Sequence, residues 1–148
     1  MNINAQDKTL PNITLKDLDG NSINIQNIDN DSNPIILNFW ATWCKPCKNE
    51  LNNIHEVYEE WKEETNVKII IVSVDDSRSN AKVKPYINAS GWTFECLSDL
   101  NRELARQLNV TTVPHTFLIN GEGQIVYEHK GYINGDEDEL YEQIKLLK

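Results

Sequence analysis

Cysteine is scarce in this chain, with three in 148 residues, too few for a disulfide scaffold. None is needed for stapling, because a chain of this length buries roughly 70% of its unfolded surface. Long apolar runs are also missing, and no stretch approaches the ~20 residues that span a bilayer. Positive charge is the minority sign: 14 basic residues stand against 23 acidic ones, for a net charge of −9. Without a basic stripe, nucleic acid is not an expected partner, and an anionic membrane surface would repel the chain. Residues 1–8 lack the charged-then-apolar pattern of a signal peptide. That leaves two readings: a cytosolic chain, or one whose leader or anchor precedes Met1. Repeats, linkers and low-complexity segments are absent, so the expectation is one domain over 11–148 after a loose segment at 1–10.

Two of the few cysteines stand together in Trp43-Cys44-Lys45-Pro46-Cys47. The apolar run Pro34–Ala41 precedes them and reads as a strand. From Cys47 to about Trp61 a helical period follows. The pair therefore lies where a buried strand gives way to a helix, the context that a Cys-x-x-Cys redox motif needs. A helix start offers unpaired N–H groups and a positive dipole end. Both favour the Cys44 thiolate and lower its pKa. Cys47, one turn on and on the same face, is within disulfide reach.

The remaining chain frames this motif. Ile13-Thr14-Leu15 and Ile23-Asn24-Ile25 alternate around Asp19-Gly20-Asn21, a hairpin pattern. Residues 35–41 suit a central strand covered on both faces. Cys47, Leu51, Ile54, Tyr58 and Trp61 form one buried helical stripe. Val67–Val74 is a second buried strand, ended by Asp75-Asp76, and the strand–helix–strand order predicts parallel pairing. A helix is expected over 79–90 and a strand over 93–97. Asp99 can cap a helix with Leu100, Leu104 and Leu108 on one face. Residues 114–120 and 124–128 form a hairpin through Gly121-Glu122-Gly123, and Leu140, Ile144 and Leu147 mark a closing helix. The order implies an α/β fold, a mixed central sheet with helices on both faces. Cys96 is expected to be a free buried thiol.

The run Asn38-Phe-Trp-Ala-Thr-Trp-Cys-Lys-Pro-Cys47, followed by Val113-Pro114, resembles the thioredoxin superfamily. The leading hairpin, the inserted helix and strand, and Pro114-His-Thr-Phe-Leu-Ile-Asn-Gly121 resemble its TlpA/ResA-like thiol–disulfide oxidoreductases. The resemblance implies a thioredoxin-like fold, with Cys44 as attacking and Cys47 as resolving thiol. Cys44 is expected to be exposed and Cys47 more buried, needing a base. Glu50, at Cys47 plus three, matches an acidic residue of ResA-like proteins and is the candidate. The resemblance further implies a cis peptide before Pro114, whereas X–Pro bonds in general are cis only about one time in twenty. Val113 and Pro114 would then offer backbone groups to a partner strand. Trp43 is expected at an exposed docking rim beside Lys45 and Pro46, and Trp40 in the core. The dithiol would serve without cofactor or metal. It would exchange with disulfides or dithiols of partner proteins, as a reductant fed by an upstream dithiol. The family's habit places such a protein outside the bacterial cytoplasm, in the periplasm or envelope, as a monomer with a tether outside this chain.

The sequence departs from the family at three places. Thioredoxins carry a buried aspartate where this chain has Asn38, which cannot titrate, so a proton relay must use Glu50. Lys45 replaces a small or acidic residue, and its charge favours the Cys44 thiolate. His115 follows the proline where relatives often have threonine, and it reads first as a packed strand residue. Two other functions are open. A peroxiredoxin would need its threonine one residue further from Cys44, where Thr42 stands, and proline in place of Leu37. A copper carrier could use Cys44, Cys47 and His115 as ligands.

Overall fold

The computed structural model describes residues 8–147. Strands β1 (Thr14–Asp17) and β2 (Ser22–Asn24) make the expected hairpin, with Leu15 opposite Ile23. Its turn is held by the Asp17 carboxylate, which accepts from the backbone N–H groups of Asp19 and Asn21 at 2.9 Å. Strand β3 (Ile35–Trp40) is buried at every position. Helix α1 (Lys45–Thr65) follows, and β4 (Lys68–Ser73) returns parallel to β3, from Ile35 opposite Lys68 to Trp40 opposite Ser73. A single turn at Asn80–Lys82 leads into α2 (Val83–Ser90), which Gly91 ends in the left-handed region. Then come β5 (Glu95–Ser98), α3 (Glu103–Gln107), β6 (His115–Ile119), β7 (Ile125–Lys130) and α4 (Asp136–Lys145).

The seven strands form one mixed sheet in the order β2-β1-β5-β4-β3-β6-β7. Strand β5 is the pivot of the outer half. It runs parallel to β4 on one side and antiparallel to β1 on the other, so the N-terminal hairpin joins the sheet only through the inserted strand. On the other side, β6 and β7 continue the sheet antiparallel to β3.

Alternation along β3 sorts its side chains between two buried faces. Asn38 and Trp40 point toward α1, where Asn38 bonds Glu50. Phe39 points the other way and meets Phe117 edge-on at 5.8 Å. Trp40, fully buried, contacts Trp92 at 5.4 Å and Tyr86 at 6.1 Å, tying β3 to the inserted segment. Trp92 in turn donates its indole N–H to Asn52 of α1 at 2.8 Å. Helix α4 packs on α1 through Trp61 and Tyr141, whose rings stack at 4.9 Å. Among the described residues, no helix is long and apolar enough to cross a membrane.

Several expectations need correction. Of the segment expected to be loose, residues 1–7 lie outside the described residues, but Lys8–Leu10 are anchored. Thr9 bridges Gln124, the Ile125 N–H donates to the Lys8 carbonyl at 2.9 Å, and Leu10 is buried. The segment thereby satisfies the first backbone N–H of edge strand β7. Asp99 does satisfy helix α3, accepting from the N–H groups of Leu104 and Ala105. Leu100, however, lies outside that short helix and is exposed, because Arg102 in the left-handed region breaks the expected face. Leu147 likewise falls beyond α4.

Candidate active site

Strand β3 ends at Trp40 and α1 begins at Lys45, so residues 41–44 must turn the chain within four positions. Two interactions set that turn. The Cys44 N–H donates to the Ala41 carbonyl at 3.1 Å. The buried Asp75, just past β4, accepts from the Thr42 N–H at 3.0 Å and from the Thr42 hydroxyl at 2.5 Å. Ser73 and Ser79 hydroxyls complete its shell at 2.6 and 2.7 Å. These donors satisfy the hydrogen-bonding capacity of a carboxyl group held out of water. Asp75 therefore clamps the loop that carries the cysteines to the end of the neighbouring strand.

Cys44 and Cys47 are joined in a disulfide, with Cα atoms 5.3 Å apart. Cys44 is the N-cap of α1, and its sulfur accepts from the Cys47 N–H at 3.3 Å. That donor, with the dipole of a 21-residue helix behind it, is aimed at the atom that becomes a thiolate on reduction. Pro46 sits in the first turn, where a missing N–H costs nothing. Cys47 is fully buried, as expected. Cys44 was expected to be exposed, but it is only 6% so. The Val113 carbonyl oxygen lies 3.6 Å from its sulfur and covers part of it. That contact becomes an S–H···O hydrogen bond in the thiol form. The Val113–Pro114 peptide is cis, and Pro114 is buried.

Glu50 lies one turn beyond Cys47 on the buried side of α1, 3% exposed. Burial pushes its carboxyl up to about 7. The Asn38 amide and the Thr116 hydroxyl pull it down, and the charges of Asp136 and Glu137 push it further up. The Asn38 amide nitrogen donates to Glu50 Oε1 and to Thr116 Oγ1, both at 2.8 Å. Its oxygen is buried without a partner among the described residues. Close by, Tyr132 donates to Glu137 at 2.6 Å and accepts from Asn53 at 2.6 Å, linking α1 to α4. Burial chiefly raises its phenol to about 12.

On the opposite flank, Trp43 is 62% exposed and lines two clefts, of about 520 and 400 Å³. Lys45 and Pro46 are exposed beside it. The structure thus brings Trp43, Cys44, Lys45, Pro46, Cys47, Glu50, Val113 and Pro114 to one end of the sheet. His115 does not join them. Its ring stacks on Phe117 at 4.5 Å and its Nε2 lies 3.0 Å from Glu128, on the far face of β6. Burial lowers its pKa. Cys96 is a free buried thiol, pushed up to about 12 by burial. Sequence reading missed Asp75, taking it only as the end of a strand. An acidic residue directly after an unbroken apolar strand was the available signal, since such a carboxylate needs a set of donors.

A family model described as AhpC/TSA matches residues 7–128. The chain belongs to the AhpC/TSA family. Within this family it is similar to thiol-disulfide oxidoreductase ResA of Bacillus subtilis, 31% identical over 138 residues that cover 93% of this chain and 73% of the relative. It is also similar to a solved thioredoxin-like protein from Porphyromonas gingivalis, 41% identical with a TM-score of 0.84 over 97% of this chain and 92% of that one. The crystal structure of StoA from Bacillus subtilis follows the same fold, at TM-score 0.69 and 28% identity over 89% of this chain and 99% of that one. This AhpC/TSA member is thioredoxin-like and is a thiol–disulfide oxidoreductase, an enzyme working through its Cys-x-x-Cys pair. The peroxidase and metal-carrier readings are not favoured.

Proposed function

We propose that the chain reduces disulfides in partner proteins, with Cys44 as the attacking thiol and Cys47 as the resolving one. The Cys44 thiolate attacks one sulfur of the partner's disulfide, a mixed disulfide forms, and the other partner sulfur leaves as a thiolate. Glu50 then takes the Cys47 proton, directly or through water. The Cys47 thiolate attacks Cys44, the Cys44–Cys47 bridge closes, and the partner's second sulfur leaves. Two electrons pass to the partner, and an upstream dithiol restores the pair.

The observation that carries this reading is the asymmetry at the helix start. One sulfur takes an N–H, borders the Val113 carbonyl and belongs to a residue that keeps 6% exposure, while the other is fully buried, one turn from a carboxyl poised near neutral pH. Trp43, Lys45, Pro46, Val113 and Pro114 form the docking rim, and the Val113 backbone pairs with the partner as an added strand would. Residues 11–148 act as one thioredoxin-like domain, as a monomer, and outside the cytoplasm.

The reduction potential of the pair, equilibrated against glutathione or dithiothreitol, tests the direction. A value near roughly −270 mV makes it a reductant, and one near roughly −120 mV a disulfide donor. No disulfide formation at all would remove the exchange mechanism.

A further inference from the structure

The two clefts that meet at Trp43 carry the wrong sign of charge for this chain. The whole molecule has a net charge of −9. Yet the larger cleft carries Lys82 on its wall, and the smaller carries Arg78 and Arg102. Lys45 stands exposed next to Cys44, and the Lys48 ammonium lies 5.1 Å above the Tyr86 ring that floors the larger cleft. Among the described residues the one acidic lining residue is Asp76, already paired with Arg78 at 3.0 Å. Asp75, its neighbour, is buried and saturated by hydroxyls and an N–H.

Grouping, more than pairing, marks these cations, since Lys8, Lys16, Arg106 and Lys130 elsewhere also hold no carboxylate among the described residues. Away from this surface Lys62, Lys68, Lys84 and Lys145 each hold a carboxylate, within 3.2 Å. Around Trp43, Lys45, Lys82 and Arg102 hold none among the described residues. Unpaired cations grouped on an acidic protein, beside a reactive sulfur, make a local positive field that steers and orients a charged partner. The floor between them is apolar, from Trp43, Pro85 and Tyr86.

We infer that this surface seats an acidic segment of the partner polypeptide, flanking its target cysteine, with an apolar side chain set into the larger cleft against Trp43. The inference rests on the thiol–disulfide exchange reading and adds a substrate preference to it. Recognition here uses side chains from the loop after β3, from the inserted α2 region and from the turn before α3. It is separate from backbone pairing at Val113, on the other side of Cys44.

The test uses the reduced full chain and peptide disulfides identical except for flanks of glutamate, glutamine or lysine. The expected order of kcat/KM is glutamate over glutamine over lysine. Each opposed charge should be worth about two- to fivefold at low ionic strength, and the spread should shrink as salt is added. Lys82→Glu combined with Arg102→Gln should abolish the glutamate preference while the variant reduces hydroxyethyl disulfide, small and neutral, at the wild-type rate. Equal rates for the glutamate and lysine peptides, or a glutamate preference that survives in the double variant, would overturn the inference. Failure of the wild type to reduce hydroxyethyl disulfide would bring down the exchange reading itself, and the docking surface with it.

Discussion

The two flanks of the Cys44–Cys47 bridge are built on opposite plans. The inner flank is sealed: Asn38, Glu50 and Thr116 are buried, bonded to one another, and backed by the acidic first turn of α4. The outer flank is open, with Trp43 standing in solvent between clefts edged by unpaired cations. Burial on the inner side tunes a proton, because a low dielectric magnifies the cost of charge on Glu50. Exposure on the outer side leaves charge cheap and available for recognition. Attack and resolution thus face different solvents although the two sulfurs are neighbours.

The largest expected effect severs the flanks. Cys44→Ser should abolish exchange, while Cys47→Ser should trap a mixed disulfide visible on a non-reducing gel; normal turnover by the second variant would break the assignment of roles. Next come the paired tryptophans. Trp40→Ala should cost about 3–5 kcal/mol in denaturant unfolding, as buried aromatic truncations do. Asp75→Ala should cost about 3 kcal/mol, since it strands the Thr42, Ser73 and Ser79 donors. It should also slow exchange by loosening the cysteine loop, and an unchanged rate would confine Asp75 to stability.

Glu50→Gln sharpens the inner flank. The wild-type carboxyl keeps its proton up to about 7 when folded but only to 4.5 when unfolded. The folded state therefore holds the extra proton in between, and stability should fall as pH rises through that window, by on the order of 3 kcal/mol. The variant should lose that slope and exceed the wild type above the window. Resolution by Cys47 should slow, and unchanged kinetics across pH would reduce Glu50 to a structural residue. The smallest effect belongs to Trp43→Ala, which should shift stability by no more than about 0.5 kcal/mol while weakening partner turnover.

What was legible in the sequence follows from how local each feature is. The helical period of α1 placed Cys47 and Glu50 on one side, and an unbroken apolar run placed Trp40 in the core. Trp43 fell outside both patterns and read correctly as exposed. The sequence flagged Asp75 only as an acidic residue after an apolar strand and hid its partners, because Thr42 and Ser79 reach it only through the parallel pairing of β3 and β4. The shielding of Cys44 depends on Val113, 69 residues away. The basic surface is similarly distributed, since Lys45, Lys82 and Arg102 share no periodicity. The position of β5 between β4 and β1 also lay beyond reach, for a strand pattern gives the strand and not its neighbours.

The anchored start of the described chain has a mechanical meaning. Thr9 is fixed to the beginning of β7, at the end of the sheet where Ile35 faces Ile119, and a few residues later the chain enters β1 in the opposite half of the sheet. The segment leaves β7 at the end away from the cysteines and reaches β1 at the cysteine end, where Lys16 faces Ser98 and Ser98 faces Ser73. Tension applied from the N-terminal side would load the Lys8–Ile125 hydrogen bond first, at the far end of β7. The cysteine loop, clamped by Asp75 at the other end of the sheet, lies away from that first point of load, and β1 is where the load would approach it.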